Sequence, residues 1–138
     1  MFKVIKMING ARQNVPEPVI FQVNGSTPYY AGYVYYHSAN GISEVKIDGL
    51  HNVPIVPLET LPTNSGINEL KCIIATPDMV FETEVMDSEW DYDVGTILSF
   101  YQKNGLNIAM RSMQGTDAMV VDKSDALTKN KIHVLLTW

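Results

Sequence analysis

Turn-forming residues interrupt the apolar stretches of this chain at short intervals, and this spacing is its strongest constraint on the fold. Nine glycines, seven prolines and ten asparagines are spread over 138 residues. No long window repeats apolar residues at helical spacing, whereas short apolar runs bounded by turn residues are typical of strands. The sequence therefore predicts an all-β fold: a compact antiparallel β-sandwich or barrel-like domain with extended N-terminal and Pro-rich arms.

Ten short runs are predicted to be strands, and three of the four Asn-Gly pairs are candidate turns between them. Asn104-Gly105 is the strongest hairpin signal, because a type I′ turn needs positive φ at both central residues. Asn24-Gly25 and Asn40-Gly41 are candidates of the same kind. The predicted strands are residues 2–8, 19–23, 28–37, 44–48, 70–75, 80–86, 96–102, 106–112, 118–121 and 132–138.

Two segments carry a weak helical pattern. Residues 124–129 predict a single turn capped by Ser124. Residues 67–74 place apolar side chains at helical spacing, but the β-branched pair Ile73 and Ile74 favours a strand there.

A proline-rich segment, residues 52–66, divides the chain. Pro54, Pro57 and Pro62 lack the amide hydrogen that a strand ladder needs, which predicts an extended edge or connecting arm and not a central strand. We expect N-terminal strands, a hairpin and the Pro-rich arm in residues 1–66, and a compact β domain in residues 67–138. The two parts are expected to form one folding unit.

Charge and cysteine content argue against several classes of protein. The net charge of −5 argues against a general nucleic-acid binder, which would carry a basic stripe. No apolar run reaches the roughly 18 residues of a membrane span. Lys6 interrupts what would be the apolar region of a signal peptide, so no secretion signal is expected. Cys72 is the single cysteine and has no partner for an internal disulfide.

The search for catalytic residues finds no motif. His37, His51 and His133 are scattered, and Cys72 lies in an apolar run that is typical of a buried thiol. His133 is expected on the solvent-facing side of its strand. We therefore predict no enzyme activity, no catalytic residue and no cofactor, and a small enzyme using Cys72 or a histidine is the minor alternative.

Four acidic residues alternate in the second half of the chain. An extended backbone would place their carboxylates on one side, where a hard cation could bind. A calcium loop beginning there needs Gly at its sixth position and Glu at its twelfth, and Tyr92 and Leu98 stand there instead. We favour a solvated loop that faces a basic partner, and a weak cation site is the alternative. The run consists of Asp87, Glu89, Asp91 and Asp93.

Five tyrosines crowd the segment 28–37. On a strand, Tyr29, Tyr33 and Tyr35 take one face, and Tyr30 and Tyr36 take the other. A strand that is aromatic on both faces needs cover on both. One face is expected to be core. The other is core as well, an interface with a neighbouring subunit, or a stacking platform for sugars.

Short motifs in the second half follow a definite order. An apolar strand with the letters FE at residues 81–82 is followed by VG at 94–95, a hairpin, a strand ending in VVD at 120–122, and a closing strand at 131–135. This layout, over about residues 70–138, resembles that of the small capsid decoration (cement) proteins of tailed bacteriophages. The resemblance implies a compact β domain fixed to the outside of the shell, an N-terminal arm over neighbouring capsomers, and no catalytic residues.

With this resemblance, the sequence predicts a structural virion protein that is made in the host cytoplasm and stabilises the capsid by bridging neighbouring subunits. Its expected partners are the major capsid protein and other copies of itself, with no nucleic acid and no membrane. A tail, baseplate or neck component and a carbohydrate-binding β-sandwich are the alternatives. The residues expected to form contacts are Phe2, Val4, Tyr29, Tyr30, Tyr33, Tyr35, Tyr36, Val53, Ile55, Leu58 and Leu61.

Overall fold

The regular structure of the described chain consists of strands alone. The structure, a computed structural model, describes residues 3–7, 17–84, 93–103, 106–111, 117–123 and 131–137. The strands are β1 Lys3–Met7, β2 Val19–Gln22, β3 Tyr35–Ser38, β4 Gly41–Ser43, β5 Val53–Pro57, β6 Glu69–Ile74, β7 Met79–Glu84, β8 Ile97–Lys103, β9 Leu106–Arg111, β10 Ala118–Asp122 and β11 Lys131–Leu136.

These strands form two antiparallel sheets, each in its own compact unit. The five-stranded unit is Val15–Ala75, with strand order β2-β6-β5-β3-β4. The six-stranded unit combines Met1–Asn14 with Thr76–Trp138, and its order is β1-β7-β11-β10-β8-β9. The prediction of an all-β fold built from antiparallel strands is confirmed.

The division between the units follows strand pairing and not the Pro-rich composition. Residues 66 and 67, where the sequence suggested a boundary, lie inside the five-stranded unit because β2 pairs with β6, with Phe21 opposite Leu70. β1 pairs with β7, with Val4 opposite Phe81, which joins the N-terminal strand to the six-stranded unit.

β5 is the central strand of the five-stranded sheet, so the prediction of a Pro-rich edge or arm is wrong for residues 53–57. The Pro54 carbonyl accepts a hydrogen bond from Ala75 N at 2.9 Å, beyond the last β5–β6 pair. The Pro57 carbonyl accepts one from Gly32 N at 3.0 Å, before β3 begins. In an antiparallel ladder, the backbone N and O of one residue point toward the same neighbouring strand. The nitrogens of Pro54 and Pro57 therefore point to positions beyond the last residue pair of that ladder, where no N–H is needed.

The core of the five-stranded unit lies on one face of a curled sheet. The rings of Phe21 on β2 and His37 on β3 have centroids 5.0 Å apart, although β6 and β5 separate these strands in the sheet. Only strong curling brings the two rings together. The buried cluster enclosed by this curl consists of Tyr29, Tyr33, Tyr35, Ile55, Leu61, Leu70 and Cys72.

The six-stranded sheet also curls, because β9 approaches β7 although three strands lie between them. On β7 the side chains alternate as the sequence predicted. Phe81 and Thr83 are buried, whereas Glu82 and Glu84 are partly exposed. On β11, Ile132 is fully buried.

Asn24-Gly25 and Asn40-Gly41 form turns of other kinds than predicted. In the β3–β4 hairpin, Ser38 pairs with Gly41, so the two loop residues are Ala39 and Asn40. Gly41 has φ of +98° while Asn40 does not have positive φ, which fits a turn followed by a one-residue glycine bulge rather than type I′. Asn24 begins a turn that closes no hairpin. The β8–β9 hairpin forms as predicted, but its turn, residues 104–105, lies outside the described residues.

The segment 44–48, predicted to be a strand, is a loop held by one asparagine. Asn52 Oδ1 accepts a hydrogen bond from Ile47 N at 2.8 Å, and its Nδ2 donates to the carbonyls of Ile47 and Leu50 at 3.0 and 2.8 Å. These bonds satisfy loop backbone groups that a strand partner would otherwise satisfy. The predicted helical turn at 124–129 lies outside the described residues, and residues 69–74 form a strand, as the β-branched pair favoured.

Asn52→Ala is expected to destabilise the five-stranded unit by about 2 kcal/mol, because three hydrogen bonds are lost and Ile47 and Leu50 keep unpaired backbone groups. Urea unfolding measures this difference. Asn40→Ala is the matched control: Asn40 is exposed, and the expected change there is within about 0.5 kcal/mol. Equal losses in the two variants would contradict the role given to Asn52.

Candidate functional site

The five tyrosines of residues 28–37 separate into four buried rings and one exposed ring. Tyr29, Tyr33 and Tyr35 pack together in the core, as the predicted shared face requires, although a turn at Ala31-Gly32 interrupts the strand. Tyr36 is buried on the opposite face of β3. Tyr30 is 40% exposed. Both faces of this segment are therefore covered, as predicted, except at Tyr30.

Burial keeps the core tyrosines in their neutral form. Desolvation raises the pKa of Tyr29, of Tyr33 and, most strongly, of Tyr35. The Tyr35 hydroxyl accepts a hydrogen bond from Tyr30 N at 3.0 Å, whereas the Tyr33 hydroxyl is buried with no hydrogen-bond partner in the described structure. The buried rings stabilise the core, and their hydroxyl groups offer no polar surface to a ligand.

The other predicted contact residues also divide by exposure. Ile55 and Leu61 belong to the buried cluster, Val53 is half-buried, and Leu58 is 46% exposed. The contact roles predicted for Ile55 and Leu61, and for the four buried tyrosines, are corrected, because these side chains are already packed within the unit. Val4 lies on β1, and Phe2 lies outside the described residues.

Two exposed apolar side chains and a lysine form a surface at the β2 edge of the five-stranded sheet. Ile20 on β2 is opposite Lys71 on β6, and Leu58 N donates to the Lys71 carbonyl at 2.9 Å, so the three residues form one row across three chain segments. Neighbours in such a row project from the same face. Ile20 is 50% exposed, and Lys71 is exposed as well. We call Ile20, Lys71 and Leu58 the β2-edge surface.

The same face of the sheet changes from buried to exposed along its length. Tyr36, Val56 and Ile73 are buried on it, whereas the β2-edge surface is exposed. β2 itself is exposed on both faces, since Val19 on the opposite face is 39% exposed. β2 is the terminal strand of its sheet among the described strands. Ile20 and Lys71 were not predicted from the sequence; the signal for Ile20 was the unalternated apolar run of β2.

The exposed tyrosine lies on a turn attached to the segment that carries Leu58. Ala31 N donates to Thr60 Oγ1 at 3.0 Å, and Gly32 N donates to the Pro57 carbonyl. The turn that carries the exposed Tyr30 ring is therefore hydrogen-bonded on both sides of Leu58, at Pro57 and Thr60. A sugar-stacking platform, one of the alternatives, needs an exposed ring face, and among these five tyrosines Tyr30 alone offers one.

Cys72 is a core residue and not an activated nucleophile. Its side chain is fully buried, and burial, with a smaller contribution from the Glu59 carboxylate, raises the pKa of the Cys72 thiol to about 12. A reactive cysteine needs the opposite shift, because the thiolate is the nucleophile.

Native Cys72 is expected to react with a thiol reagent about a thousandfold more slowly than the urea-unfolded chain at neutral pH, since its pKa rises from 9.0 to about 12 and the thiolate fraction falls accordingly. Burial slows the reaction further. Timed labelling followed by mass spectrometry measures both rates. Comparable rates in the folded and unfolded states would revive the enzyme alternative.

His133 lies between two carboxylates on the six-stranded sheet. Its Nε2 is 3.6 Å from Glu82 Oε2 on β7, and its Nδ1 is 3.6 Å from Asp122 Oδ2 on β10. Lys131 Nζ is 3.3 Å from Glu82 Oε1. The carboxylates approach different ring nitrogens, so one metal ion cannot bind all three side chains at once. His133 lies on the face opposite the buried Ile132 and Val134, as predicted, but its side chain is only 16% exposed.

The acidic run lies mostly outside the described residues. Asp87, Glu89 and Asp91 are among those not described, and Asp93 is exposed and pairs with Lys123 Nζ at 3.0 Å. Within the described ranges, no group of three or more His, Cys, Asp or Glu side chains is arranged to hold a metal ion.

Comparisons with known proteins found no relative of this chain. No protein-family model, no curated protein and no solved structure matches the chain. Among the residues that the structure describes, none forms a helix long and apolar enough to cross a membrane.

Proposed function

We propose that this chain is a structural virion protein that binds the outside of a phage capsid and stabilises it by bridging neighbouring subunits. The observation that carries the proposal is the β2-edge surface, in which the exposed apolar side chains of Ile20 and Leu58 flank Lys71 at a terminal strand. β2 has the sequence VIFQ and carries no charged side chain to discourage pairing with another chain. Exposed apolar side chains at an uncharged edge strand favour a surface that binds another protein over one that faces only solvent.

The mechanism would be addition of an extended segment of the major capsid protein to β2. Backbone hydrogen bonds supply affinity in this mode, and side chains on alternate positions supply specificity. Ile20 and Leu58 would lose their exposed apolar area, and Lys71 between them would pair with an acidic side chain of the partner. Each contact is weak, but repetition over a lattice, with other copies of the same chain as neighbours, multiplies the affinity.

The order of motifs in the second half, which resembles capsid decoration proteins, supports the same proposal. The net charge of −5 also fits a partner other than nucleic acid. Ile20 takes a contact role in place of the buried tyrosines, whereas Leu58 and Tyr30 keep the roles predicted from the sequence. The virion location and the host cytoplasm as the place of synthesis belong to the proposal.

The first experiment is quantitative proteomics of gradient-banded particles from the source culture, with copy number referenced to the major shell protein. Recovery near a simple ratio to that protein supports the decoration role. Recovery at only a few copies moves the protein to the tail, baseplate or neck. Absence from the particles overturns the virion proposal and leaves a glycan screen as the next experiment, with Tyr30→Ala as the variant that removes the exposed ring.

A second experiment tests the surface itself. Ile20→Lys and Leu58→Lys are each expected to weaken binding to purified shells about tenfold or more, because a charge replaces buried apolar contact. Val45→Lys is the matched control: Val45 is 69% exposed on the loop that precedes Asn52. Equal binding by all three variants, with unchanged circular dichroism, would remove the β2-edge surface from the proposal.

A further inference from the structure

Two described Asn-Gly pairs differ sharply in how tightly the fold holds them. Such pairs are the sites where an asparagine amide is lost spontaneously, because a glycine that follows leaves its amide nitrogen open to approach the side chain. Asn24-Gly25 and Asn40-Gly41 are both in turns of the five-stranded unit. With the same chemistry in both pairs, the surroundings decide which one reacts.

The fold holds Asn24. Its Oδ1 accepts a hydrogen bond from Ser26 N at 2.9 Å and another from the Ser26 hydroxyl. Gly25 is packed so closely that a side chain there would meet Gly66 backbone and Asn68 Oδ1 at 3.0 Å, and the Gly25 carbonyl accepts a hydrogen bond from Gly66 N. Both the carboxamide and the following peptide must leave these contacts before they can react.

The Asn40 side chain has no such restraint. It is exposed at the tip of the β3–β4 hairpin, and no hydrogen bond to its side chain occurs within the described residues. Gly41 has φ of +98°, and nothing lies within 4 Å of where a side chain would stand. Gly41 itself pairs with Ser38, and its carbonyl accepts a hydrogen bond from Ser38 Oγ at 3.5 Å, so the difference between the two Asn-Gly pairs lies in the asparagine side chain.

We propose that Asn40 is a site of spontaneous deamidation in the folded protein, in preference to Asn24. The Gly41 amide nitrogen forms a bond to Asn40 Cγ, and Nδ2 leaves as ammonia with the proton that the amide nitrogen releases. Water then opens the resulting succinimide at either carbonyl and leaves aspartate or isoaspartate. The product carries one more negative charge, and isoaspartate adds a methylene group to the main chain of the hairpin turn.

Peptide mapping by mass spectrometry tests the proposal on the full chain incubated in mildly alkaline buffer. Asn40 is expected to lose its amide about tenfold faster than Asn24, the ratio that corresponds to one net hydrogen bond. In concentrated urea the two rates are expected to converge, because both residues then precede glycine in an unfolded chain. Ser26→Ala is expected to raise the Asn24 rate in the folded protein, and Asn40→Gln to abolish the mass gain at residue 40.

Two results overturn the proposal. One is an Asn24 rate in the folded protein equal to or greater than that of Asn40. The other is a folded Asn40 that keeps its amide over a time in which the unfolded chain has lost it. The inference is independent of the virion proposal, since it requires only the β3–β4 turn.

Discussion

Tyr35→Ala is expected to lower the free energy of unfolding of the five-stranded unit by about 3–5 kcal/mol, the loss typical of removing a buried aromatic ring. Tyr35 is 2% exposed and packs against Tyr29 and Tyr33, with ring centroids 5.4 and 6.1 Å away. Tyr30→Ala is the matched control, five residues away on an exposed turn. The Tyr30 ring is 40% exposed and lies against Tyr33 with centroids 5.0 Å apart, so its expected loss is about 1 kcal/mol, well below that of Tyr35.

The hydroxyl groups give a finer test of the same core. Tyr35→Phe is expected to destabilise the unit by about 1 kcal/mol, because Tyr30 N loses its acceptor. Tyr33→Phe is expected to stabilise it by a similar amount, since the Tyr33 hydroxyl is buried without a partner. Because both rings are buried, burial alone would predict stability changes of the same sign for the two variants.

Urea unfolding followed by near-ultraviolet circular dichroism of tyrosine measures these differences. Five of the seven tyrosines belong to the five-stranded unit, whereas both tryptophans, Trp90 and Trp138, belong to the other. The tyrosine signal therefore reports mainly on the unit that the substitutions change. A Tyr35→Ala variant as stable as Tyr30→Ala would contradict the core assignment and return Tyr35 to the list of contact residues.

The five-stranded unit is expected to lose stability steeply as pH rises above 9. Burial raises the pKa of Cys72 from 9.0 to about 12, so between these values the unfolded chain has lost a proton that the folded chain still holds. Stability then falls with pH, by up to about 1.4 kcal/mol per pH unit for each such group. The raised pKa values of Tyr29, Tyr33 and Tyr35 add to this loss above pH 10.0.

Urea midpoints measured from neutral pH to about pH 11 test this slope, with tyrosinate absorbance recorded in parallel. Below pH 9 these groups are protonated in both the folded and the unfolded chain, so they are expected to add no pH dependence to the urea midpoint. Cys72→Ala is the control: it is less stable at neutral pH because it leaves a cavity, but its stability should fall less steeply above pH 9. Identical slopes for Cys72→Ala and the parent chain would contradict a protonated, buried thiol.

Local sequence determined most of the strands of the six-stranded sheet. β7 could be predicted because Phe81 and Thr83 alternate with Glu82 and Glu84, and period-two alternation is a property of neighbouring residues alone. The β8–β9 hairpin could be predicted for a similar reason, since Asn104-Gly105 is a local turn signal. The grouping of Tyr33 and Tyr35 on one side also agrees with period-two spacing, whereas Tyr29 joins them across the turn at Ala31-Gly32.

The candidate site was much less predictable. Leu58 and Tyr30 were named as contact residues from the sequence, but so were Tyr36 and Ile55, which the fold buries. Residue type alone does not distinguish them, because an apolar side chain that completes a core and one that awaits a partner have the same chemistry. Ile20 was missed because its exposure depends on β2 being the last strand of its sheet.

The sequence by itself determined that this chain is all-β, which segments of residues 76–138 are strands, and which tyrosines share a face. Only the tertiary structure decided that Pro54 and Pro57 lie in a central strand, because their tolerance depends on where the ladders with β6 and β3 end. It also decided which apolar residues stay exposed. Both outcomes depend on pairing between segments distant in the chain, and that pairing is not encoded in the periodicity of either segment.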